Sequence, residues 1–191
     1  MAVRDAAATR ARILAAAAAE FAEYGLAGGR VDRIAAAAST NKAQLYYYVG
    51  NKEALFDTVF DAYVNANLTA VPLDASDLPG WVVAIHDYYL RNPTLVRLAT
   101  WARLERTPTG DLFINRGGID QAVVDQVADA QAAGILVDSI RPLDLFCLAV
   151  AIAGTWAQAS INITATADDP AEENWRRRSA LAETIRRAFC R

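Results

Sequence analysis

The chain has 191 residues, 54% of them apolar, and a formal net charge of −3. That is enough for one or two small domains around an apolar core, with no need of disulfide or metal staples. Cys147 and Cys190 form no CxxC or Cys/His pattern, and a single histidine rules out a His-rich metal centre, so no metal or cofactor is expected. The start, Met1-Ala2-Val3-Arg4-Asp5, lacks the pattern of a secretory signal, and a reduced, cytoplasmic setting is the expectation.

The charge is unevenly placed. Residues 1–52 hold seven Lys/Arg against four Asp/Glu, a surplus of +3, and the remainder carries −6. A basic head on an acidic body suits a protein that presents one end to a polyanion. The uncharged run Leu145–Ala167 is long enough to span a bilayer. Gln158, Ser160, Asn162, Thr164 and Thr166 crowd its second half, and Asp144, Asp168 and Asp169 flank it in place of Lys or Arg. It reads as a helix buried in protein, and no membrane partner is expected.

Helical periodicity runs through nearly every segment, and the predicted fold class is all-α. Thr9–Tyr24 places Ile13, Ala17 and Phe21 on one stripe, with Gly25 as the stop. Val31–Ala38 is a short second helix with Val31, Ile34, Ala35 and Ala38 inward. After the Ser39-Thr40-Asn41 turn comes a third helix, Lys42–Val49, capped by Asn41. Gly50-Asn51 breaks the chain again, and a fourth helix, Lys52–Ala70, carries Leu55, Val59, Tyr63 and Ala66 inward, with Asn51 as cap. Pro72–Gly80 marks a domain boundary, giving an amino-terminal domain with its connecting helix over 1–70 and a second domain over 71–191. The second domain's helices are predicted over Trp81–Arg91, Pro93–Arg106, Ile119–Ala133, Leu143–Thr166 and Ala171–Phe189.

In the third helix, Leu45, Tyr48 and Val49 share one face and Lys42, Ala43, Tyr46 and Tyr47 the other. The second face suits the major groove: Ala43 permits close approach, Gln44 can pair with base edges, and tyrosine hydroxyls can donate to phosphates. Taken alone, the tyrosines could equally be packing residues.

Residues 9–60 carry a more specific pattern: Thr-Arg-Ala-Arg-Ile-Leu, Phe21-Ala-Glu-Tyr-Gly25, Val31-Asp-Arg-Ile-Ala35, and Leu45-Tyr-Tyr-Tyr-Val-Gly-Asn-Lys-Glu-Ala-Leu55. This stretch resembles the helix-turn-helix domain of the tetracycline-repressor (TetR) family. The resemblance implies a third helix in the major groove, with Lys42, Ala43 and Gln44 facing bases and Tyr46, Tyr47 and Tyr48 making phosphate and edge contacts. It also implies that Lys52 grips a phosphate, where the amino end of the fourth helix favours an anion too.

Two departures stand out. Gly28-Gly29-Arg30 replaces the usual threonine pair, so a hydroxyl cap is missing and Arg30 becomes the candidate phosphate ligand. Ser39-Thr40 replaces Gly-Val in the turn, so Ser39 must take an unfavourable backbone angle if the turn is kept, at about 1 kcal/mol.

The resemblance further implies a homodimer reading a palindromic operator in double-stranded DNA, repression as the usual outcome and activation as the other, and release by a small-molecule effector. The last two helices would pair with those of a second subunit through the small residues Ala149, Ala151, Ala153, Gly154 and Ala157. His86, Tyr89, Trp101, Phe113, Phe146 and Trp156, grouped with Tyr88, are candidate ligand-binding residues; aromatics at helical spacing also serve as plain core. A DNA-binding regulator without an effector is the alternative. Catalysis has little support: no phosphate-binding glycine loop is present, and Asp168-Asp169 before Pro170 suits capping of the last helix.

Overall fold

Alanine loses no side-chain freedom in a helix, and the chain opens on it. In the computed structural model, which describes residues 2–191, α1 (Ala2–Gly28) begins well before Thr9 and buries Ile13, Ala17 and Phe21 as the spacing predicts. The predicted stop at Gly25 is a break inside the element, with φ 70° and ψ −175°. No side chain fits there: a Cβ would lie 2.7 Å from Cε3 of Trp101 and 2.8 Å from Oε1 of Glu105. The break frees the N–H groups of Leu26 and Ala27, and Glu105 Oε2 accepts both, at 2.7 and 3.0 Å. A carboxylate here also meets the positive end of the new turn.

The next three helices follow from their caps. α2 (Val31–Ala37) buries Val31, Ile34 and Ala35. It ends in a Schellman arrangement, with Thr40 N–H donating to the Ala35 carbonyl at 2.9 Å and Ser39 N–H to Ala36 at 3.1 Å. Ser39 takes φ 52°, the left-handed angle that the glycine-less turn demands. Asn41 Oδ1 accepts from Gln44 N–H at 2.8 Å and starts α3 (Lys42–Val49). Asn51 Oδ1 accepts from Ala54 N–H at 2.7 Å and starts α4 (Lys52–Ala70). The α4 stripe runs through Leu55, Phe56, Val59, Phe60 and Val64, whereas Ala66, expected inward, is exposed.

The helices after the linker are α5 (Leu78–Arg91), α6 (Pro93–Glu105), α7 (Gln121–Ala132), α8 (Pro142–Ala153) and α9 (Ala171–Phe189). α5 starts earlier than the predicted Trp81 because Asp77 caps Gly80 N–H at 3.0 Å and Pro79 is tolerated in the first turn. The chain divides into two compact units: residues up to Ala66 with Thr94–Leu112, and Asn67–Pro93 with Phe113–Arg191. Arg97, Trp101 and Glu105 of α6 bind α1, and these contacts group Thr94–Leu112 with the first unit although α6 follows the linker at 72–80.

The predicted helix Leu143–Thr166 is corrected. α8 stops at Ala153, with Gly154 at its cap. Thr155 turns its hydroxyl back onto the Ile152 carbonyl at 2.7 Å, and the Ser, Asn and Thr residues that follow favour local bonds over a helix. Turns carry the chain on, with Ser160 N–H donating to Ala157 and Ala165 N–H to Trp156, both at 2.8 Å. Ala149 and Ala153 are fully buried and Ala157 nearly so within one subunit, so they are core and offer no surface to a second copy. Asp169 does not cap α9: Pro170 holds that place without a side-chain bond, and the Asp169 carboxylate accepts from Arg177 at 2.5 Å. No helix among the described residues is long and apolar enough to cross a membrane.

Candidate nucleic-acid interface

Within the first unit, α3 is fastened by one side chain. Leu45 is wholly buried, while Lys42, Ala43 and Gln44 are exposed. Tyr47 is 85% exposed, with its ring edge-on to Tyr48 at 5.5 Å. Tyr46 and Tyr48 are both half-buried, so the two-faced pattern predicted for the tyrosines is blurred. A helix this short, held by one buried leucine and its caps, leaves most of its side chains for something outside the fold.

The cations of this unit fall into two groups. Arg12 donates to the Ala38 carbonyl at 3.2 Å, and Arg33 pairs with Glu20 at 2.5 Å while lying 4.2 Å over the Tyr24 ring. These two are committed to holding the unit together. Burial pushes the Glu20 carboxyl up, but the Arg33 hydrogen bond and the Arg30 N–H at 2.7 Å outweigh it and hold it below its ordinary value. Glu20 thus takes the backbone N–H of the residue at the α2 cap, and no side chain caps the first free N–H groups within the helix.

The Arg30 side chain stays exposed. Lys42 meets only the exposed Asp32, at 3.4 Å, a surface pair of the weak kind. Lys52 donates one proton to the Ala27 carbonyl at 3.2 Å. Two further N–H bonds stay available beside the amino end of α4. Lys42 and Lys52 are the only lysines in the chain.

Gln44 is held twice. Its N–H goes to Asn41, and its side-chain Oε1 accepts from the Thr40 hydroxyl at 2.6 Å. Thr40 was absent from the sequence-predicted set. The signal was present as a threonine four residues before a glutamine across a helix start, a spacing that brings the two side chains together.

The expected ligand residues do not gather at one place. In the second unit His86 is 1% exposed and its Nδ1 lies 3.1 Å from the Ala153 carbonyl. A carbonyl only accepts, so Nδ1 carries the proton and the buried Nε2 is left as an acceptor with no partner. Burial lowers the His86 pKa, against the opposing pull of the Ala153 carbonyl and Asp87. Its ring stands edge-on to Trp156 at 5.8 Å, and Phe146 meets Trp81 at the same separation. Phe113 lies 5.9 Å from the Arg116 guanidinium.

Of the six candidates only Tyr89 lines the cavity found in this unit, about 370 Å³ in volume, with Arg91, Gln158, Thr166 and Asp168 among its other walls. Burial pushes the Tyr89 phenol up to about 12. Trp101 lies in the first unit, where its indole N–H donates to the Ala22 carbonyl at 3.3 Å and its ring fills the space beside Gly25.

Residues 13–59 match the family described as bacterial regulatory proteins, tetR family, and residues 77–187 match the tetracyclin repressor-like C-terminal domain. The HTH-type transcriptional repressor SCO4008 of Streptomyces coelicolor is 42% identical over 159 residues, covering 82% of each chain. The HTH-type transcriptional repressor NicS of Pseudomonas putida is 36% identical over 105 residues, about half of each chain. The crystal structure of the transcriptional regulator SCO4942 from S. coelicolor superposes with a TM-score of 0.77 at 36% identity, covering 95% of this chain and 98% of that one. With an all-helical fold, an amino-terminal helix-turn-helix and both halves matched, the chain belongs to the TetR family of DNA-binding transcriptional regulators, which are not enzymes.

Proposed function

We propose that this chain is a homodimeric repressor that reads a palindromic operator through α3 and is released by a small molecule. The observation that carries the reading is the outward surface of α3: Leu45 alone is fully buried, and the chain's two lysines stand at the starts of α3 and α4. Ala43 and Gln44 meet base edges; Arg30, Lys42, Tyr46, Tyr47, Tyr48 and Lys52 meet phosphates and groove edges. The naming of SCO4008 and NicS as repressors supports repression over activation.

Pairing of two copies is supported by apolar side chains left in solvent on the last two helices, Leu148 at 45% and Trp175 at 68% exposed. Two α3 helices about 34–36 Å apart match successive major-groove faces. An effector that binds better when that spacing is wrong weakens DNA binding by the same factor. The second unit, with the cavity beside Tyr89 and the unpartnered Nε2 of His86, is where it would act.

The test is selection of genomic fragments by the purified protein, followed by titration of the enriched site. A short palindrome is expected. Lys52→Ala should weaken binding to all sequences alike and reduce the slope of log K against log salt by about 1.8, about 0.9 for each Lys52 of the dimer. An unchanged affinity and slope would remove Lys52 from the interface and with it this placement of α3. A thermal-shift screen in which one compound class raises the melting temperature and weakens operator binding would establish release; stabilisation without loss of operator would exclude it.

A further inference from the structure

The turn before α3 holds the functional groups of Gln44 in a particular way. An unrestrained glutamine is ambidextrous: its carbonyl accepts, its amide N–H₂ donates, and together they match N6 and N7 of adenine. Here Thr40 is pinned first. Its backbone N–H is committed to the Ala35 carbonyl at 2.9 Å through the left-handed Ser39. That fixes the base of its side chain against the end of α2. Its hydroxyl then donates to Gln44 Oε1 at 2.6 Å, while Asn41 holds the Gln44 backbone N–H at 2.8 Å. One lone pair of the Gln44 carbonyl is engaged from within, which turns that oxygen toward Thr40 and leaves the donating N–H₂ as the group that leads away from the turn.

A glutamine that leads with its N–H₂ beside Lys42, whose ammonium only donates, makes the start of α3 a surface rich in hydrogen-bond donors. In the major groove, adenine sets an N6 donor beside its N7 acceptor and cytosine shows a donor. Thymine offers one acceptor beside a methyl group. Guanine alone presents two adjacent acceptors, N7 and O6. We propose that Thr40 is a specificity-positioning residue: by engaging Gln44 Oε1 it makes Gln44 read guanine where a free glutamine would read adenine. The proposal rests on the reading of α3 as the recognition helix.

The experiment is selection of duplexes from a random library by the full-length protein, run in parallel with Q44A, T40V and T40S, each first checked for native helicity. For wild type, a guanine is expected at one position of each half-site, and Q44A should lose the preference at that position alone. T40V, which removes the hydroxyl at nearly constant volume, should shift that position toward adenine by roughly ten-fold. T40S, which keeps a hydroxyl, should hold guanine.

If T40V fails to fold, the wild-type protein decides the matter alone, because 7-deazaguanine at the selected position removes N7 and should cost affinity there and nowhere else. Adenine or thymine at the Gln44-dependent position of wild type, guanine retained in T40V, or no position dependent on Gln44 overturns the proposal while leaving an enriched palindrome as support for the repressor. Failure of wild type to enrich any sequence overturns both.

Discussion

The two compact units differ in the length of the connections between their helices. In the first, the turns from α1 to α4 are two to four residues long and lean on residues close by: Gly25 at φ 70°, Ser39 at φ 52°, Asn41 and Asn51 with side-chain oxygens 2.8 and 2.7 Å from the N–H they cap. In the second, α8 stops at Gly154, and the sixteen residues that follow are held by turns, with Ser160 N–H on the Ala157 carbonyl and Ala165 N–H on that of Trp156, and by the Arg177 bond to Asp169. Asp87 pairs with Arg178 at 2.8 Å, and Gln131 donates to the carbonyls of Val137 and Ile140, both at 2.7 Å. A surface that must match the spacing of base edges is built from short, locally locked turns. The second unit spends a much longer connection between α8 and α9.

The sharpest way to break this contrast is Leu45→Ala. It removes the one fully buried side chain of α3 and should cost about 2–5 kcal/mol of stability in urea unfolding. A loss under about 1 kcal/mol would show that the caps alone carry α3. Gly25→Ala comes next. It forces a side chain into the left-handed region, at about 1–2 kcal/mol, and brings a Cβ within 2.7 Å of Trp101. The double variant with Trp101→Ala should recover the crowding part only; full recovery would mean that the backbone angle costs nothing.

In the second unit the effect to look for is in acid. The folded pKa of His86 lies below its unfolded value near 6.5, so below that pH the unfolded chain takes the proton more readily and stability falls. Above it, both states are neutral and the effect vanishes. His86→Gln should flatten the dependence of the melting temperature on pH between about 6.5 and 5; an unchanged profile would move the acid sensitivity to another group. The smallest effect is a gain. Ser39→Gly relieves an angle worth about 1–2 kcal/mol and spends about 0.5–1 on added freedom of the unfolded chain, so a rise of a degree or two or more in Tm is expected.

The same contrast governs what could be read from the residues alone. Asn41, Asn51, Gly25 and the strain at Ser39 were legible because a cap or a left-handed turn is decided by the residue itself and its immediate neighbours. The end of α8 was not. Its apolar run continues in composition through Trp156 and Ala157, and only the choice of Thr155 to bond the Ile152 carbonyl reveals that the backbone has turned. The surroundings of Trp101 were not legible for a related reason: an aromatic at helical spacing fits a pocket or a core equally well, and its bond to the Ala22 carbonyl is a contact across 79 positions. Thr40 escaped notice because its role is exercised through another side chain.

The seal at Gly25 has a consequence for how the molecule comes into being. Leu26 and Ala27 give their N–H groups to Glu105, and the Ala22 carbonyl accepts from Arg97 at 2.6 Å as well as from Trp101. A nascent chain that has released only its first seventy residues has the whole helix-turn-helix but none of these partners. Synthesis runs from the amino end, and domains tend to fold as they emerge. This one stays unsealed until the segment to Leu112 has left the ribosome, and a fragment ending at Ala70 should bind DNA less tightly than one to which α6 has been restored.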